Sequence, residues 1–178
     1  MKYLKRIAAF LASKLVIITI CVSLLVCAFY MAYNIGDAYI LVTEGLEKRV
    51  EVCLTRSDFT SLNSYFTASF LNQDPVLAIA VTEDSPYYKY NISDFDYEIK
   101  LEKLRGAWPW ADYVTCVVTE HVTDITGSVK AAYSSEASEK ITPWKSSRYT
   151  VTLRKQSGGN WKITGLKKDD TYKDTDVE

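Results

Sequence analysis

One carboxylate stands in an apolar setting. In VTCVVTEHV, Val114 to Val122, Glu120 has the same parity as Val114, Cys116, Val118 and Val122. In a strand those side chains share a face. A carboxyl buried among them has a raised pKa and suits a general base. The competing reading is a bend or bulge near Glu120 that turns it to solvent. That second reading is the expectation, because unpaired acids are rarely buried. His121, the only histidine, has the opposite parity and reads as a surface or edge residue. The two do not form a dyad.

Aromatic side chains form the second group that could carry function. Tyr87, Tyr88 and Tyr90 precede a strand, and Trp108, Trp110 and Tyr113 crowd a break around Pro109. Trp and Tyr are enriched where partners dock. The alternatives are core or rim packing, or a place near a membrane surface. Pro109 between two Trp gives a stiff turn that presents one ring outward.

Other chemistry finds no support. There is no Gly-rich phosphate loop, no nucleophile elbow and no redox C-x-x-C. Cys21 and Cys27 lie in an apolar run, while Cys53 and Cys116 are isolated in apolar surroundings. Buried free thiols are expected, with a Cys53–Cys116 disulfide left open. No Cys pair has metal-site spacing, so neither metal nor cofactor is expected. Asn91-Ile92-Ser93 fits a glycosylation pattern that a strand start explains as well.

The segment that would position these groups begins with a membrane signal. Lys2, Lys5, Arg6 and Lys14 precede an uncharged run, Leu15 to Tyr33, without Gly or Pro. At about 1.5 Å per residue, ~20 helical residues cross the hydrocarbon core. Basic residues only on the N-terminal side put that end in the cytoplasm. Tyr30 and Tyr33 fall at the outer interface. Two rival readings fit less well. A cleaved signal peptide lacks its A-x-A site in FYMAYNIGDA, and a lipoprotein at Cys27 would have Val26 where a small residue belongs. All 22 acids lie beyond Ile35, so the remaining chain is mildly acidic and unsuited to nucleic acid.

The expected divisions are a basic tail (1–14), a signal anchor (15–34), a domain (35–166) and a disordered charged tail (167–178). Beyond the membrane the helix continues, with Val42, Leu46, Val50 and Cys53 on one stripe and Glu44, Glu47, Lys48 and Arg49 mainly off it. Gly45 weakens that helix. Ser57 or Asp58 caps a second helix carrying Phe59, Leu62, Phe66 and Phe70, which Pro75 ends. Leu77 to Val81 is apolar and of undecided state. Strands follow: Phe95, Tyr97, Ile99 and Leu101 alternate with acids and Lys100. Gly106 and Pro109 interrupt, and the Glu120 strand comes next. A long polar connection leads to a hairpin in which Tyr149, Val151, Leu153, Trp161 and Ile163 face inward. Helices first and strands later argue for an α+β layer, with helices on one face of an antiparallel sheet.

This order of elements, with SDFTSLNSYFTASFLNQDP and the closing RYTVTLRKQSGGNWKITGL hairpin, resembles the nuclear-transport-factor-2-like superfamily. The likeness spans roughly Asp37 to Leu166. It implies a cone, a strongly curved sheet wrapped round helices, as in SnoaL-like and ketosteroid-isomerase-like enzymes. A single span before such a domain is similar to inner-membrane components of bacterial conjugation, type IV secretion and sporulation channels. No catalytic residue carries over. The resulting expectation is a non-catalytic, extracytoplasmic interaction module. It is held in the cell membrane by Leu15 to Tyr33 and assembles with itself or with other envelope proteins. The alternative is a ligand-binding or enzymatic cone using a cavity near Glu120.

Overall fold

The computed structural model describes residues 2–138 and 140–172. Its first element is one unbroken helix, α1, Lys2–Thr55, of 54 residues. It contains no Pro, so nothing interrupts its hydrogen-bond ladder. Every described side chain before Asn34 is exposed, and Asn34 is the first buried one. Among the described residues this is the one helix long and apolar enough to cross a membrane. Beyond Asn34 the same helix becomes the spine of the domain. Ala38, Val42, Leu46, Val50 and Cys53 are buried, as their spacing predicts. Arg56 ends it with φ 57°, and its N–H bonds the Val52 carbonyl at 2.9 Å. The Arg56 guanidinium then donates to the carbonyls of Ala80 and Val81, both at 3.0 Å.

The second helix is not one helix. Phe59–Ser64 forms a 3₁₀ turn, Ala68–Leu71 a single α-helical turn, α2, and Pro75–Ala80 a third helix, α3. Asp58 caps the first piece, accepting from the Thr60 N–H at 2.8 Å. Phe66 leaves helical geometry and bridges to Ile163 in the sheet, which breaks the run between the pieces. Pro75 starts a helix where the sequence reading has it end one. Its missing N–H costs nothing at a first helical position, and Asp74 before it caps Val76 at 2.9 Å. Leu62 and Phe66 are fully buried, so the apolar spacing survives although the helix does not.

Four antiparallel strands follow in the order β1-β2-β3-β4: β1 Tyr90–Arg105, β2 Tyr113–Val129, β3 Ser147–Lys155 and β4 Trp161–Lys168. Each pairs with the next in sequence, the simplest meander. Along β1 the half-buried Phe95, Tyr97, Ile99 and Leu101 alternate with exposed charges. α1 and the pieces after it pack on one face of the sheet. There Val42 and Leu46 join Leu62, Phe66, Val114, Cys116, Val151, Leu153 and Ile163 in one cluster. Each large apolar side chain so buried contributes about 1.5–3 kcal/mol. Gly45 belongs to this interface. A Cβ there would sit 3.0 Å from Ile163 Cδ1 and 3.1 Å from Tyr65 Cβ, so the glycine lets α1 approach β4 closely.

The outer sheet face is tied crosswise. Arg148 on β3 reaches Glu102 on β1 and Asp169 beyond β4, and Thr119 on β2 donates to Glu102 at 2.6 Å. β4 thus runs past Leu166, and the Asp169 N–H bonds the Arg148 carbonyl at 2.8 Å. The tail expected from residue 167 is ordered at its start. Positions 173–178 lie outside the described residues.

Candidate functional site

Glu120 is fully buried, with 0% of its surface exposed. The expected bend to solvent does not occur, because β2 pairs without a shift from Tyr113↔Arg154 to Glu120↔Ser147. The strand's parity therefore carries the carboxylate inward. Its Oε1 accepts from Trp144 Nε1 at 2.9 Å, and its Oε2 has no hydrogen-bond partner. Burial pushes the Glu120 carboxyl up, and the Arg49 charge and the Trp144 hydrogen bond offset part of that rise.

Arg49 is the cation of this centre, projecting from α1 with 2% exposure. It forms a bidentate pair with Asp74, Nε to Oδ2 at 2.6 Å and Nη2 to Oδ1 at 2.9 Å. Burial alone would lower the Arg49 pKa. The hydrogen bonds and charge of Asp74, with weaker contributions from Cys53 and Glu120, reverse that and keep the guanidinium charged. Its Nη1 is unpartnered, as is the Tyr97 hydroxyl. Burial and the Glu120 charge push the phenols of Tyr97 and Tyr149 up. The Arg49–Asp74 pair balances itself, so an ionised Glu120 would leave this interior with an uncompensated negative charge. Burial opposes that charge and favours the protonated carboxyl.

The centre has one open flank, a cleft of about 400 Å³ lined by Arg49, Asp74, Phe70, Tyr149 and Leu166. Trp144 donates to Glu120 on one side and lines an open cleft of about 310 Å³ on the other, together with Cys53, Tyr87, Ser147 and Tyr149. Glu120 does not line it. Tyr87 stacks on Trp144, ring centroids 6.2 Å apart at 22°. Cys53 and Cys116 are buried and free, which settles the open disulfide. Burial pushes their thiols up to about 12 and about 11, so neither is a ready nucleophile. Among the described residues no group of His, Cys, Asp and Glu could hold a metal.

The aromatic candidates divide in two. Tyr87 and Tyr90 are buried, and the Tyr90 hydroxyl donates to the Ser138 carbonyl at 3.0 Å. Tyr88 lies under two cations, Arg56 at 4.7 Å and Lys130 at 5.3 Å. This trio fastens the long β2–β3 connection. Trp108, Trp110 and Tyr113 are exposed by 53%, 76% and 57%, and the two indoles stack at 5.8 Å and 11°. His121, paired with Glu98 across β1 and β2, is half-buried and lies apart from the Glu120 face.

Sequence reasoning misses Arg49, Asp74 and Trp144. Arg49 falls three residues after Leu46 and four before Cys53, on the very stripe from which its charge excludes it. The Asp-Pro pair at 74–75 signals a helix start. Nothing in the sequence marks Trp144.

These features define an α+β domain built on the end of a long apolar helix, with a buried polar centre and an exposed aromatic turn. No family model, curated protein or solved structure matches the chain.

Proposed function

We propose that the chain is a non-catalytic interaction module, anchored in a membrane by α1 and presenting its domain on the far side of the basic tail. The observation that carries this reading is the unbroken helix. The apolar run and the domain spine are one rigid element, so the span fixes the domain's position and tilt. A tethered enzyme has no need of such coupling, whereas a component that must meet neighbours in the same membrane does. The full burial of Glu120 against Trp144 supports it as well. An open apolar cleft of about 430 Å³ lined by Phe59, Leu62, Leu71, Leu77 and Val81 offers surface for a neighbour. β1 is an edge strand, but its three register irregularities and its charges disfavour addition of another strand. The bacterial-envelope setting and the cone architecture rest on the likeness of element order alone. Chemical crosslinking in intact membranes tests the module. Products heavier than one chain are expected, and monomer alone, with no partner captured, overturns the reading.

A second reading is favoured by one observation, the three unpartnered polar atoms on Arg49, Glu120 and Tyr97. If Trp144 swings out, they would face a polar ligand. Ligand binding that is lost in Glu120→Gln supports it, and unchanged binding dismisses it.

A further inference from the structure

We infer that the turn at 106–112 is a membrane-contact foot that presses the domain onto the bilayer crossed by α1. The inference rests on the anchor reading above. Two observations place the turn. Asn34, the first buried residue after the apolar run, donates through Nδ2 to the Trp108 carbonyl at 3.1 Å. The other turn at the same end of the sheet, around Gly159 and Asn160, shares a cleft with Tyr33, Asn34 and Asp37 of α1. Both turns therefore stand where the helix leaves the hydrocarbon.

The occupant is argued from side-chain chemistry. Ala107 is buried and holds the turn to the domain, while Trp108 and Trp110 stack in the open. The Lys155 N–H bonds the Asp112 carbonyl at 2.8 Å, joining the two turns into one base. Tyr30 and Tyr33 are exposed on α1 just before Asn34, the residue that bonds the turn. Indole and phenol rings with an apolar body and a polar edge partition to the headgroup region. Arg105, Arg154 and Lys155 are exposed near this end, Arg154 lying opposite Tyr113 in the sheet. Asp37, Asp112 and Glu44, the last lining the same cleft as Lys155, balance them, so the base is polar and near neutral, as suits the headgroup region. A soluble protein partner would leave the rings' coincidence with the helix exit without cause.

The test uses the full chain in phosphatidylcholine–phosphatidylglycerol vesicles carrying bromine either close to the headgroups or deep in the acyl chains. Flotation is read first and tryptophan emission second. Wild type should float, and shallow bromine should quench its emission more than deep bromine. Trp108→Phe with Trp110→Phe should float equally and lose most of that quenching, because Trp161 is buried and Trp144 is half-buried in the cleft beside Tyr87. A wild-type chain that floats with emission untouched by shallow bromine overturns the foot and leaves the anchor standing. A chain that does not float overturns both.

Discussion

The polar centre and the 106–112 turn invert the usual distribution in opposite ways. At Arg49, Asp74 and Glu120, ionisable groups are almost wholly buried. At Trp108 and Trp110, large apolar rings stand exposed. The centre joins elements distant in sequence: α1, the start of α3, β2 and the Trp144 connection. The turn is tied to the domain through Ala107, Asn34 and Lys155, and its indoles stand open. Substitutions in the centre should therefore act on folding, and substitutions in the turn on membrane contact.

The largest effect is expected at the ion pair. Asp74→Asn leaves the Arg49 charge buried without its counter-charge and removes one strong acceptor. A loss of about 3–5 kcal/mol is expected, read by chemical denaturation of the detergent-solubilised chain. Next comes Trp144→Phe, which keeps an aromatic ring against Tyr87 but removes the N–H from Glu120. Its loss leaves the buried Glu120 Oε1 without that donor, at a cost of about 1–3 kcal/mol. The same experiment should also show the cleft opening, as faster thiol labelling of Cys53. If labelling is unchanged, Trp144 is not the closure.

A smaller effect, with a diagnostic sign, belongs to Glu120. Its carboxyl is pushed up by burial, so the folded chain binds that proton more tightly than the unfolded chain. Its contribution is complete below the ordinary glutamate value of about 4.3 and is lost as pH rises through the folded value. Glu120→Gln removes that dependence while keeping an acceptor for Trp144. The stability difference between variant and wild type should therefore grow in favour of Gln as pH rises from 4. A flat difference would mean that Glu120 is not shifted. The smallest folding effect is expected in the turn. Trp110→Ser should change stability by less than about 0.5 kcal/mol, and a larger loss would make the turn part of the core.

The strands were legible because a half-buried antiparallel sheet writes itself as alternation. Tyr149, Val151, Leu153, Trp161 and Ile163 all fall inside as read. The stretch from Phe59 to Ala80 was not, since apolar spacing of three and four residues also suits a broken chain whose rings meet one core. The Phe66–Ile163 bridge that breaks it pairs residues far apart in sequence. At Glu120 the parity was correct and the expectation of solvent was wrong. What accommodates a carboxyl there is a Trp N–H and an Arg from another element, neither of them a local property. The charged residue within the α1 stripe was the available clue to that partner.

The central claim is that rigid coupling of span and domain serves assembly. Extraction of the full chain from its native membrane into polymer-bounded lipid discs, followed by single-particle mass measurement, tests it most directly. The account predicts particles holding several copies of the chain, or the chain with another protein. Discs that hold single copies alone, at native abundance, would contradict it.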